Sequence, residues 1–226
     1  MKKIIAAINV CLLLYCGGLY AQHYNLNKNM LDPIQVSMSV EKLRGKKVVK
    51  VTKDSTVKAF DEATFVRIKD SNFRNGTIEV KVLSRLLKTA PDFSRGFIGI
   101  AFHINDDNSK FESIYLRPTN ARAEDQVRRN HTIQYYSYPD YKFDKLRKEA
   151  PEAYESYADM DLNQWIRMRI VVEGQKARLY LNDNKQPSLI VNDLKLGPNA
   201  SGAIGLFVDI GTEGFFRDLS VYKTTD

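Results

Sequence analysis

The stretch Phe97-Ile98-Gly99-Ile100-Ala101-Phe102-His103-Ile104 is the passage on which the fold reading turns. Side chains of a β-strand point alternately to its two faces. Ile98, Ile100, Phe102 and Ile104 therefore share one apolar face, and Phe97, Gly99, Ala101 and His103 share the other. Ala203-Ile204-Gly205-Leu206-Phe207-Val208-Asp209 repeats the arrangement, with Ile204, Leu206 and Val208 on a core side and Ala203, Gly205, Phe207 and Asp209 opposite. Glycine weakens a strand interior, and close approach by another group is a common reason to find it there. A ligand lying on a floor of small residues meets that requirement, and so does a segment of the same chain packed on it.

Outward from these two strands, segments of alternating or β-branched character recur along the whole chain, at residues 34–40, 47–53, 64–69, 77–83, 111–117, 131–137, 165–173, 176–182, 188–192 and 215–222. Asn75-Gly76, Asp106-Asp107-Asn108, Glu173-Gly174, Asn182-Asp183-Asn184 and Gly197-Pro198-Asn199 supply turns between them. Many short strands with few helices predict an all-β fold, a two-sheet antiparallel jelly-roll sandwich. Two segments break the rhythm. Residues 118–130 form a polar, arginine-rich connection, and residues 138–163 hold one short helical excursion, about 144–157, interrupted at Pro151.

The chain opens with Lys2 and Lys3, an apolar run and Leu19-Tyr20-Ala21 before Gln22, the layout of a secretory signal peptide. The expected organisation is a leader over 1–21 and a single domain over 22–226, exported to the periplasm or the extracellular space, with no transmembrane span. Both cysteines, Cys11 and Cys16, fall in the leader, so the mature chain has no disulfide. Lipidation at Cys16 is the lesser alternative, since Tyr15 stands where a small residue is wanted. Without Lys2 and Lys3 the formal charge falls from +7 to +5. That modest excess, together with export, argues against a nucleic-acid partner and leaves an anionic glycan as a candidate.

If the strands at 97–104, 111–117, 131–137 and 165–173 share a sheet, its open face collects His103, Tyr115, Arg117, Gln134, Tyr136 and Trp165, with Asp209 beside them. Aromatic rings suit the apolar faces of sugars, while arginine forks and amides suit hydroxyls or carboxylates. An ordinary solvated β face would carry scattered Arg and Tyr as well. The expected roles are ligand binding for Tyr115, Arg117, Gln134, Tyr136 and Trp165, and proton transfer for His103 with Asp209. Truncating Arg117, placed at a strand end before Pro118, is expected to remove binding and change stability little. His131 falls on the core side of its strand and reads as structural. No metal-ligand spacing, nucleophile elbow or phosphate loop occurs, and no cofactor or metal is expected. Glu112 points toward the core, which leaves Asp209 as the one carboxylate placed for hydrolysis, where a standard glycosidase needs two.

Several short stretches resemble, in order, the landmarks of the bacterial 3-keto-disaccharide hydrolase domain family, within the concanavalin A-like lectin/glucanase superfamily. They are Asn75-Gly76-Thr77-Ile78-Glu79-Val80, Ser113-Ile114-Tyr115-Leu116-Arg117, Ile133-Gln134-Tyr135, Gln164-Trp165, Arg169-Ile170-Val171-Val172, Leu181-Asn182, Gly202-Ala203-Ile204-Gly205-Leu206 and Phe216-Arg217-Asp218-Leu219. The resemblance implies an arginine ending one strand, matched by Arg117, and a Glu-x-Gln pair on a later one. Gln134 matches the glutamine, but Thr132 stands where the glutamate belongs. It further implies an exported protein of bacterial glycan utilisation that binds a saccharide on its concave sheet, and cleaves it if it is an enzyme, as a keto-glycoside hydrolase or a polysaccharide lyase. The alternative is a non-catalytic domain for a protein partner.

Overall fold

A computed structural model of the chain describes residues 20–224, so Cys11, Cys16 and the leader before residue 20 lie outside the described residues. The strands are β1 (Tyr20–His23), β2 (Leu31–Ile34), β3 (Val36–Leu43), β4 (Lys46–Lys53), β5 (Phe65–Phe73), β6 (Gly76–Leu86), β7 (Ile98–Ile104), β8 (Phe111–Leu116), β9 (Ile133–Tyr138), β10 (Glu155–Ser156), β11 (Ile166–Glu173), β12 (Lys176–Leu181), β13 (Leu189–Val191), β14 (Gly202–Val208) and β15 (Thr212–Lys223). Two α-helices, α1 (Gln126–Asn130) and α2 (Phe143–Glu149), interrupt them.

All the strands pair antiparallel in two sheets, as the alternation requires. The first runs β13-β12-β11-β6-β15-β4-β3, with β1 also paired to β15, and the second runs β10-β9-β8-β7-β14-β5-β2. The protein is thus an all-β jelly-roll sandwich. Ile98, Ile100, Phe102, Ile204, Leu206, Met168 and Ile170 are fully buried, and Ile166 nearly so.

The two sheets treat their second faces differently. Along β11, buried residues alternate with half-buried ones, as expected of a sheet with one face to water. Every residue of β7 and β8 is buried. The second face of that sheet is therefore covered by the chain itself, and the open face expected from sequence does not exist in that form. An aromatic layer lies on it: Tyr115 and Tyr136 sit 5.7 Å apart, and Phe207 lies 5.4 Å from Tyr115 and 5.7 Å from Tyr136. The glycines answer to these neighbours. A Cβ on Gly99 would come within 2.3 Å of the Ile114 carbonyl oxygen, and one on Gly205 within 3.0 Å of Phe65.

The two segments that broke the strand rhythm contribute to the cover, together with the loop at Phe60, Asp61 and Glu62. α2 ends at Glu149, and Ala150 leaves the helical region (φ −143°, ψ 76°), because a residue before proline is pushed out of it. No helix restarts after Pro151; instead Glu155 and Ser156 pair with Gln134 and Ile133 as the edge strand β10. The helix expected over 144–157 is shortened accordingly. In the arginine-rich connection the Asp125 carboxylate accepts the Arg128 N–H at 2.8 Å and caps α1, a helix that its polar sequence did not signal.

Candidate functional site

β8 delivers Arg117 to the edge of the covered sheet, where Pro118 ends the strand. The guanidinium is only 5% exposed. Its Nη1 donates to Glu155 Oε1 at 3.0 Å and to the His131 carbonyl at 3.1 Å, and its Nη2 to the Tyr115 hydroxyl at 2.8 Å and Gln134 Oε1 at 3.1 Å. Burial opposes the charge, but Tyr115, Glu155 and Asp61 outweigh it and hold the Arg117 pKa above its ordinary value. Glu155 is also gripped by Arg147, whose Nε lies 2.9 Å from Oε2. Burial alone would raise the Glu155 pKa, yet the hydrogen bonds from Arg147 and the charges of Arg117, Arg147 and His131 hold it below the usual range.

Above this ion pair lies a cleft of about 490 Å³. Tyr115, Arg117 and Phe97 form its floor, Phe60, Phe143 and Arg147 one wall, and Asn120, Val127 and Arg128 the other, with Arg95, Phe93 and His131 at the rim. Phe60 meets Phe97 and Phe143 edge-on at 5.8 and 6.0 Å. The His131 backbone is pinned by Arg117 and by Asn120 Nδ2 at 2.8 Å. Burial, with Arg147 and Arg117 nearby, lowers the His131 pKa against the pull of Glu155, so the ring is neutral at pH 7.

Behind Tyr115 stands a second carboxylate. Asp61 is fully buried, has a left-handed backbone (φ 53°), and takes the Phe143 N–H at 2.9 Å on Oδ2, while Oδ1 has no hydrogen-bond partner of normal geometry. Desolvation first, and then the charge of Asp209, raises its pKa to about 7. A strained, buried group titrating near neutrality is a feature that functional sites accumulate. The Asp61 N–H donates to Asp209 Oδ2 at 2.9 Å, and Lys53 closes the cluster at 2.5 Å from Asp209 Oδ1.

A family profile for the 3-keto-alpha-glucoside-1,2-lyase-like domain matches residues 39–222. The chain belongs to that family. No curated protein sequence matches the chain. Among solved structures, the domain is similar to the carbohydrate-binding module CBM66 from Bacillus subtilis (12% identity, 84% of this chain and 97% of the module, TM-score 0.53). It is similar also to a protein of galectin-like fold from the same organism (11% identity, 84% and 88%, TM-score 0.52) and to a β-glucanase from Bacillus licheniformis (10% identity, 93% and 100%, TM-score 0.51). At such identities the likeness is one of fold.

Within the domain, the residues singled out from sequence separate into three groups. Tyr115 and Arg117 line the cleft. Gln134 and Tyr136 lie on the same side of the sheet but beneath the surface. Gln134 is spent on Arg117 and on the Tyr135 carbonyl at 2.6 Å, and Tyr136 is sealed in the aromatic layer with its hydroxyl unpartnered. Asp209 lies behind Tyr115, tied to the Asp61 N–H and to Lys53, while His103 and Trp165 are elsewhere. His103 has φ 53°, and the register between β7 and β14 shifts beside it, so strict alternation fails there. Its Nδ1 meets Glu112 Oε2 at 2.7 Å and its Nε2 the Arg74 carbonyl at 2.9 Å. The expected His103–Asp209 proton-transfer pair is therefore not formed. Trp165 precedes β11, in the other sheet, and its ring lies under Arg217 at 4.3 Å.

Three residues of the site escaped the sequence reading. His131 was assigned to a strand that in fact begins at Ile133, and it caps α1 instead. Glu155 supplies to Arg117 the carboxylate that position 132 does not; Thr132 Oγ1 donates to the Arg129 carbonyl. Asp61 sits in a loop with no pattern to mark it. The expected forked grip of Arg117 on a ligand is corrected too, since both terminal nitrogens already meet two protein acceptors each.

Proposed function

We propose that this exported domain binds a saccharide in the cleft above Arg117 and cleaves a 3-keto-glycoside by elimination. The observation that carries the reading is the Tyr115–Arg117–Glu155 network at the floor of an aromatic-walled cleft, with a neutral imidazole at its rim. A keto group at C3 acidifies the C2 proton. In the proposed reaction His131 accepts that proton as general base, C1 and C2 become doubly bonded, and the C1–O bond breaks. The departing oxygen then takes the proton back from His131, so the products are an unsaturated keto-sugar and an alcohol. The Tyr115 O–H, polarised by Arg117, donates to the C3 oxygen as charge develops there, the role of an oxyanion-stabilising group. Phe60 and Phe143 offer apolar surface to the sugar ring.

Export rests on the leader over 1–21, and intact mass of secreted protein starting at Gln22 checks it; a diacylglycerol on Cys16 replaces it with a lipoprotein. The covering of the sheet by residues 138–163 favours a second reading, a domain for a protein partner. The cleft lined by Tyr115 and Arg117 favours the saccharide. Incubation with methyl 3-keto-α-glucoside tests the choice. Release of methanol, cut at least 100-fold by His131→Gln, is expected of a general base. Absence of both turnover and saccharide binding overturns the proposal.

A further inference from the structure

Resting on that reading of the cleft, we infer that its substrate carries an anionic substituent, a carboxylate, sulfate or phosphate, recognised by Arg95 and Arg128. Four guanidiniums line the cleft. Two of them are paired within the fold, since Arg117 and Arg147 share the single carboxylate of Glu155. The other two meet no carboxylate. Arg95 Nη1 donates to the carbonyls of Asp92 and Ser94, at 2.7 and 3.0 Å. Arg128 Nε donates to Asn120 Oδ1 at 3.0 Å and its Nη2 to Thr119 Oγ1 at 3.3 Å.

These two cations also repel. Burial first, and then the charges of Arg128 and Arg117, lower the Arg95 pKa. A fold gains nothing by holding like charges together on a wall of a cleft, so the arrangement costs stability unless an anion visits it. The acidic residue lining the same cleft, Asp125, is engaged through Oδ1 by the Arg128 backbone N–H at the start of α1. The neutral oxygens that hold Arg95 and Arg128 fix their planes without spending their charge. A planar fork held in this way suits a bidentate oxyanion. Phe93 and Val127, 50% and 65% exposed, flank them and leave the approach from solvent open.

The test compares four methyl 3-keto-α-glucosides, one unmodified at C6 and three bearing a carboxylate, sulfate or phosphate there, by kcat/KM. Calorimetry of methyl α-glucoside against methyl α-glucuronide separates charge recognition from chemistry. At least one anionic compound is expected to exceed the neutral one about 10- to 100-fold, the scale of a charge-assisted hydrogen bond. The preference should shrink in high salt and fall below about 3-fold in Arg95→Gln. Arg128→Gln should act in the same direction, and because Arg128 also ties α1 to Asn120, Arg95→Gln, whose partners are carbonyls of its own loop, keeps the test independent of folding. Equal kcat/KM for neutral and anionic compounds, or a preference untouched in both variants, overturns the inference while leaving the elimination chemistry standing. Glucuronide binding without turnover of any keto-sugar does the reverse.

Discussion

Two buried carboxylates of one sheet, Glu112 and Glu155, each meet a nitrogen side chain, and the two contacts have opposite fates. His103 and Glu112 are 2.7 Å apart; Glu112 Oε1 also takes the Tyr135 hydroxyl at 2.9 Å and the Leu196 N–H at 3.2 Å. That cluster is closed by the chain on every side, since His103 and Glu112 are both essentially inaccessible. Arg117 and Glu155 are nearly as buried, at 5% and 7%, but Arg117 lines a cleft with surplus cations around it. Burial and pairing are common to both, so neither marks function. Access from solvent and charge left uncompensated are what distinguish the second.

The largest effect expected is on Arg117→Ala. Removing one partner of a buried pair costs about 3–5 kcal/mol, because the other charge is left stranded. Urea unfolding should show that loss together with a collapse of saccharide binding, in place of the small stability change that an exposed strand-end arginine predicts. Glu112→Ala should match it in stability, at about 3–5 kcal/mol, for the same reason. Its saccharide affinity, measured below the unfolding transition, should be unchanged; a large drop in affinity would erase the distinction between the two pairs.

Asp61 sharpens the comparison through pH. Its folded pKa of about 7 lies above the unfolded value, so its burial favours the folded state fully at pH below the unfolded pKa. That contribution is lost as pH rises toward 7. Asp61→Asn, whose amide oxygen can still accept from Phe143, removes the loss. The variant should gain about 4 kcal/mol on wild type between pH 4 and pH 8 in denaturant titrations, three pK units at about 1.4 kcal/mol each. A gain independent of pH would mean that Asp61 is ionised throughout.

The smallest effect distinguishes two aromatic positions, the exposed Phe93 and the half-buried Trp165. Phe93→Ala should change stability by no more than about 0.5 kcal/mol, as befits a half-exposed side chain, and weaken sugar binding several-fold. Trp165→Ala should leave affinity untouched, because its ring stacks with Arg217 on the other sheet.

The strands were readable because alternation is local: Ile98, Ile100 and Phe102 announce a buried face whatever lies across from them. The place of Arg117 at a strand end before Pro118 was readable, but not its burial, which comes from Glu155, Gln134, Tyr115 and the His131 carbonyl. His103 was misplaced by a single irregularity, a positive φ beside a register shift, which inverts alternation without any mark in composition. Glu155 was out of reach for a different reason. Its position depends on a two-residue strand pairing with β9, a contact across 21 residues of chain that no periodicity encodes. Asp61 likewise acquires its character from Asp209 and Phe143, both far away in sequence.

The central claim is that the cleft above Arg117, and not the rest of the covered sheet, is where saccharide binds. A crystal of the His131→Gln variant soaked with methyl 3-keto-α-glucoside tests it most directly. The sugar ring should lie between Phe60, Phe143 and Arg128, with its keto oxygen within hydrogen-bond distance of the Tyr115 hydroxyl. A sugar bound instead over Trp165, or against Lys53 and Ile210 in the neighbouring depression, would contradict it.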